Sequence, residues 1–109
     1  MDAQLKTKWI EALRSKKYRQ IQGSLREETS AKRYGYCCLG VLCHTMGAKW
    51  KNGDPLLADL SMQHPEEAYL SFEALRIAGL NDDTQRKLAR MNDDEKPFVE
   101  IADYIETNL

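Results

Sequence analysis

Tyr36-Cys37-Cys38-Leu39-Gly40-Val41-Leu42-Cys43 is the stretch on which the reading of this chain turns. From Cys37 to Cys43 no side chain is polar, and the sequence holds no longer run of that kind. A bilayer span needs about 20 apolar residues, so the run is too short for a membrane and belongs in a core. Only Val41 is β-branched, which argues for helix over strand. His44, Thr45 and Met46 extend the segment, and Gly47 stands where a left-handed residue would close a helix. The expectation is a buried helix over 37–46, roughly 15 Å long. Gly40 in its middle costs about 1 kcal/mol against alanine. Such a glycine marks the close approach of another element, and the first helix is the expected neighbour.

Outward from that run, the chain has 109 residues, 42% hydrophobic and 30% charged, which fits one globular domain over 1–109. No charged start followed by an apolar run marks a signal peptide, and no transmembrane run is present. The expected location is therefore cytoplasmic, without membrane association. Three cysteines, an odd number, argue against a disulfide framework. The net charge of −1 conceals an asymmetry. Residues 1–51 carry eleven basic and four acidic side chains, a net of +7, and residues 52–109 carry five and thirteen, a net of −8. Two readings follow. The halves dock on one another, within one chain or between the copies of a homodimer, or the basic half faces an anionic partner.

Asp2 is placed to cap a first helix over 3–16, in which Leu5, Trp9, Ala12 and Leu13 form an apolar stripe and Trp9 anchors it to the core. Residues 17–36 lack helical periodicity. An irregular hairpin is expected there, extended over 20–26, turning at Glu27–Ser30 and returning over 31–36. After Gly47, Asn52-Gly53-Asp54-Pro55 reads as a turn. Leu56, Leu57, Leu60 and Met62 are expected to fold back on the core. His64-Pro65-Glu66-Glu67 is a second break, with Pro65 able to open a short helical turn. Ser71 caps a helix over 72–78, closed by Gly79. A helix from Asn81 or Asp82 to about Asn92 follows. Pro97 then opens a last helix whose Phe98, Ile101, Ala102 and Ile105 give the cleanest amphipathic pattern in the chain. The expected fold is mainly α: a compact bundle of four to five helices around the buried central helix, with a small β-hairpin.

Cys37, Cys38, Cys43 and His44 invite a metal reading, but on one helix the neighbours 37 and 38 diverge by about 100°, so the four cannot converge. A nucleophilic cysteine needs a base and a lowered pKa, and a thiol inside an apolar run meets neither condition. The acids at Asp93-Asp94-Glu95 read as a solvated loop. No zinc-protease, nucleophile-elbow, phosphate-loop or dinucleotide signature occurs. The chain is accordingly expected to be no enzyme, with no metal and no cofactor.

Arg14, Lys16, Lys17 and Arg19 gather around Tyr18, with Arg26, Lys32 and Arg33 further on. These seven are the candidate partner-binding residues. They suit phosphates, with Tyr18 or Tyr34 stacking on bases, or an acidic protein surface. As a solvated helix end, the first of them would simply complement the helix dipole. A pI near 6.1 lacks the mark of a dedicated nucleic-acid binder. The helices at 72–78 and 82–91 resemble a helix-turn-helix, but Asp82 and Asp83 at the start of the second oppose DNA.

Trp9-x-x-x-Leu13-x-Ser15-x-x-Tyr18, Gly23-x-Leu25, the Tyr36–Cys43 block, Met91-Asn92-Asp93 and Phe98-x-Glu100-Ile101-Ala102-Asp103-x-Ile105 together resemble a family of small proteins of tailed bacteriophages and prophages. Residues 44–70 fall outside the likeness. In that family the place of Met91 is often taken by Leu. The resemblance implies phage origin and expression inside a bacterium, and it carries no catalytic residue onto this chain. The leading expectation is a phage accessory protein that binds a bacterial host protein, inhibition of a defence system such as CRISPR being the role that suits its size. The alternative is a nucleic-acid binder using the basic half.

Overall fold

The computed structural model describes residues 1–51, 54–56 and 69–109. In chain order the described elements are α1 (Ala3–Arg14), β1 (Arg19–Gln20), β2 (Arg26–Ser30), β3 (Arg33–Tyr36), α2 (Cys38–Thr45), β4 (Lys49–Lys51), β5 (Asp54–Leu56), α3 (Phe72–Ala78), α4 (Asp82–Asp93) and α5 (Phe98–Asn108). The fold is mainly α, and the described residues form one three-stranded and one two-stranded sheet. The fold-back of Leu57, Leu60 and Met62 and the break at His64–Glu67 lie outside the described residues, as do Asn52 and Gly53. These two separate the paired strands β4 and β5, which meet at Lys51 and Asp54. No described helix is long and apolar enough to cross a membrane.

Side-chain caps set the helix starts, because the first backbone N–H groups of a helix have no partner within it. Asp2 Oδ2 accepts from Leu5 N at 2.9 Å, Ser71 Oγ from Ala74 N at 3.2 Å and Asn81 Oδ1 from Thr84 N at 2.8 Å. Gly79 closes α3 with φ at 75°, the left-handed conformation open to glycine. The central run is a helix, but one residue shorter at each end than expected. Cys37 is still extended where it leaves β3, and its Sγ accepts from Gly40 N at 3.4 Å as the cap of α2. Helix α1 ends at Arg14 rather than residue 16, because Ser15 Oγ bonds back to Ala12 O at 2.7 Å and Lys16 turns left-handed.

Cys38 to Cys43 are all buried, and the core around them takes Trp9 and Leu13 from α1, Leu88 from α4, and Ile101 and Ile105 from α5. Trp9 anchors α1 as expected, its Nε1 donating to Cys38 O at 3.0 Å. Gly40 does mark a close approach, but not of α1. A Cβ at this position would run into the carbonyl oxygen of Leu25, the residue that leads into β2.

The 17–36 segment is a sheet in the order β1-β3-β2, not a simple hairpin. Strand β1 runs parallel to β3, with Arg19 opposite Gly35 and Gln20 opposite Tyr36. Strand β2 is antiparallel to β3 and contains the residues expected to turn; the reversal comes instead at Ala31–Lys32. Glu27 to Ser30 are all exposed, so the strand lacks the alternation that would betray it. Lys32 supplies the left-handed residue of the turn at φ 59°. A side chain in that region costs about 1–2 kcal/mol. Glycine would relieve this while adding about 0.4–1 kcal/mol of unfolded-state entropy. Lys32→Gly is therefore expected to raise stability by about 0.5–1 kcal/mol in urea unfolding.

Two buried amides join the parts. Asn92 Oδ1 accepts from Cys38 N at 3.1 Å and from Gln20 Nε2 at 3.0 Å, and its Nδ2 donates to Ile21 O at 2.7 Å. Gln20 also spans outward, donating to Lys96 O at 2.7 Å and accepting from Phe98 N at 3.1 Å. The sheet is thereby tied to both ends of the α4–α5 connection. Gln85 Oε1 accepts from Leu70 N at 2.8 Å and fixes the chain where it enters α3.

Candidate functional site

Of the seven cationic residues picked out from the sequence, the fold brings three onto one groove. Lys17, Arg19 and Arg33 line a groove of about 340 Å³ together with Thr29 and Tyr34. Strand alternation explains the grouping. Arg19 lies opposite Gly35, and Arg33 sits two residues from Gly35 on the same strand, so both point to one side of the sheet. All three cations are exposed, and no acidic side chain lines the groove among the described residues.

The other four have different surroundings. Arg14 faces α5, its guanidinium 2.7 Å from Asp103 and 3.1 Å from Glu106. These two carboxylates hold its pKa above the ordinary arginine value. Part of the charge asymmetry is therefore neutralised inside the molecule, where α1 lies along α5, and Lys6 adds a bond to Glu106 O at 3.4 Å. Lys16 and Lys32 are exposed, each with a left-handed backbone. Arg26 lies over the Tyr34 ring, its guanidinium carbon 3.5 Å from the centroid.

Tyr34 and Thr29 are the uncharged residues of the groove. Tyr34 had a visible signal as an aromatic among cations, whereas Thr29 had none, since it was read as part of a turn. A band of rings continues from Tyr34 along the same side of β3. Tyr36 meets Tyr18 at 5.2 Å and His44 at 5.8 Å, edge to face, and Tyr18 meets His44 at 5.6 Å. Burial pushes the Tyr18 and Tyr36 phenols above their ordinary pKa. A second groove, of about 520 Å³, runs along α4 and the turn that follows it, and its lining mixes Arg86, Lys87, Arg90 and Lys96 with Asp83 and Asp94. Its mixed sign gives it no preference for an anion or a cation.

The cysteines are buried, and none is bonded to another. Cys38 Sγ donates to Leu88 O at 3.5 Å inside the core. Burial pushes the Cys37 thiol up to about 11, and raises Cys38 and Cys43 as well. Among the described residues no three His, Cys, Asp or Glu side chains are grouped to hold a metal ion. The folded state keeps these thiols neutral, while in the unfolded chain they ionise near the ordinary value of 9.0. Their contribution to stability is thus complete below the ordinary value and is lost as pH rises above it, that of Cys37 by about pH 11 and those of Cys38 and Cys43 still further up. The raised tyrosines act in the same direction. A melting series should show a midpoint unaffected by these groups up to pH 9.0 and falling steeply above it.

A family model described as a domain of unknown function (DUF8296) matches residues 1–69. That stretch contains α1, the whole three-stranded sheet with its groove, and α2. No curated protein and no solved structure matches the chain.

Proposed function

The chain belongs to the DUF8296 family, and from that premise we propose that it is a small non-enzymatic binding module of bacteriophage origin. It works in the bacterial cytoplasm by holding a host protein against the cationic side of its sheet, and so blocks that protein, a component of a defence system such as CRISPR being the target class that suits its size. We read the helices as a bundle gathered on α2, which keeps the sheet rigid enough to present its side chains in one arrangement. One observation carries the reading: Lys17, Arg19 and Arg33 converge on one groove, with no acid of the described chain among its lining residues. An all-cationic groove leaves its own charge unanswered and attracts a partner of opposite sign, which steers association and sets register.

The test is recovery of tagged protein from bacterial lysate, with and without nuclease, for the native chain and for the double variant Arg19→Glu, Arg33→Glu. The expected result is one host protein recovered near stoichiometry by the native chain and lost by the variant, with nuclease removing the recovery where the contact runs through bound nucleic acid and leaving it where the contact is to protein. Capture that survives charge reversal would sink the assignment of this groove.

A further inference from the structure

We propose that the groove is a site for single-stranded nucleic acid, with an unpaired base stacked on Tyr34 and phosphates held by Lys17, Arg19 and Arg33. This rests on the binding-module reading and names what the groove touches: the host target is a protein that carries nucleic acid, and the contact is made to that strand. The argument begins with the ring. Tyr34 is 37% exposed and lines the groove, and the Arg26 guanidinium stacked at 3.5 Å holds it in place. A ring backed by a guanidinium is a preorganised platform for a third flat group.

The second step is the division of labour across β3. Tyr34 and Tyr36 project to one side of the strand and Arg33 to the other, because side chains alternate. Arg26 lies between the two tyrosines, 5.9 Å from the Tyr36 centroid, so the rings of Tyr34, Tyr36, Tyr18 and His44 form a continuous band. Tyr34, lining the groove, is where the band meets the cations. β1 pairs with β3 at Gly35 and Tyr36 and stops short of Arg33 and Tyr34, so a chain passing there from one side of β3 to the other sets flat groups against rings and anions against Lys17, Arg19 and Arg33. An acidic peptide would use the cations but has no use for the ring face. A strand of unpaired nucleotides uses both. Stacking tolerates any base, so no sequence preference is expected.

The experiment is fluorescence anisotropy with short labelled oligo-dT and oligo-U, and with labelled polyglutamate as the acidic-peptide probe. Native protein should bind both oligonucleotides at about 50 mM salt, with log affinity falling linearly in log salt. Tyr34→Ala should weaken binding roughly tenfold without changing the salt slope, while Tyr34→Phe should retain it. Arg19→Ala and Arg33→Ala should each lower the slope by about one. Thermal midpoints of the Arg19, Arg33 and Tyr34→Phe variants, measured alongside, should match the native chain, while Tyr34→Ala loses only the Arg26 stacking and stays folded at the assay temperature. If the oligonucleotides fail to bind while host-protein capture still requires Arg19 and Arg33, the nucleic-acid site is refuted and the binding module stands. Polyglutamate binding that is indifferent to Tyr34→Ala, with no oligonucleotide binding, likewise overturns the proposal in favour of an acidic protein surface. Failure of both capture and oligonucleotide binding refutes the two readings together.

Discussion

Asn92→Ala is expected to lower the unfolding free energy by about 3–5 kcal/mol, a large part of the roughly 5–15 kcal/mol that holds a domain together. Asn92 has no exposed surface. Truncation leaves the Cys38 N–H without its 3.1 Å acceptor and the Ile21 carbonyl without its 2.7 Å donor. Each buried polar group so orphaned costs about 1–3 kcal/mol, and the side chain's volume becomes a cavity. Gln20 suffers less, since its amide keeps the bond to Lys96 O. Urea unfolding followed by circular dichroism measures the loss; a change under about 1 kcal/mol would show that water replaces the amide freely. Asn92→Asp separates shape from hydrogen bonding. The carboxylate cannot donate to Ile21 O, and burial raises its folded pKa above the ordinary value of about 3.9. The penalty is therefore present at neutral pH and disappears as pH falls below the unfolded value, when the protonated acid regains a donor. A stability that rises on acidification relative to the native chain is the expected signature.

Gly40→Ala is expected to prevent folding or to cost more than about 3 kcal/mol, the upper end of what overpacking produces. The added methyl meets the backbone of Leu25, not the end of a flexible side chain, so relief requires moving the sheet away from α2. That motion would also pull Cys37 N from Leu25 O, now 3.2 Å apart. Gly47→Ala is the control. Gly47 has φ 84° but nothing within 4 Å of a built Cβ, so only backbone strain of about 1–2 kcal/mol is incurred. Comparable melting temperatures for the two alanine variants would contradict the close approach at Gly40.

The features legible in the sequence were those decided within a turn or two of chain. Ser71, Gly79 and Pro97 announce helix ends by their own backbone chemistry, and the Phe98–Ile105 periodicity needs no knowledge of what it packs against. The features missed depend on residues far apart. Strand β2 is four exposed polar residues after Arg26, and only pairing with β3 makes Glu27 to Ser30 a strand instead of a turn. Gly40 signalled a close neighbour but could not name it, because Leu25 reaches α2 only after the chain has turned back. Arg14 belonged to the basic cluster by position, yet Asp103 and Glu106 claim it across nearly the whole sequence. Asn92 and Gln85, only 0% and 2% exposed, look like surface residues of an amphipathic helix until Ile21, Cys38 and Leu70 arrive to be bonded. The Met91-Asn92-Asp93 step gains a physical meaning here: Asn92 holds the sheet, and Asp93 Oδ1 accepts from Gly23 N at 3.2 Å. For the groove, the cations were visible but not their grouping, which comes from β1 running parallel to β3.

The pairing of α1 with α5 bears on how the protein is made. Arg14 and Asp103 meet across 89 positions, and the Trp9 side of α1 shares a core with Ile101 and Ile105. A ribosome adding about 5–20 residues per second needs roughly 5–20 s to travel that distance. During that time the first helix and the Cys37–Cys43 run leave the exit tunnel with no final helix to cover them. The emerging polypeptide thus carries an uncovered apolar run until α5 has been made, and its core closes only when that helix arrives.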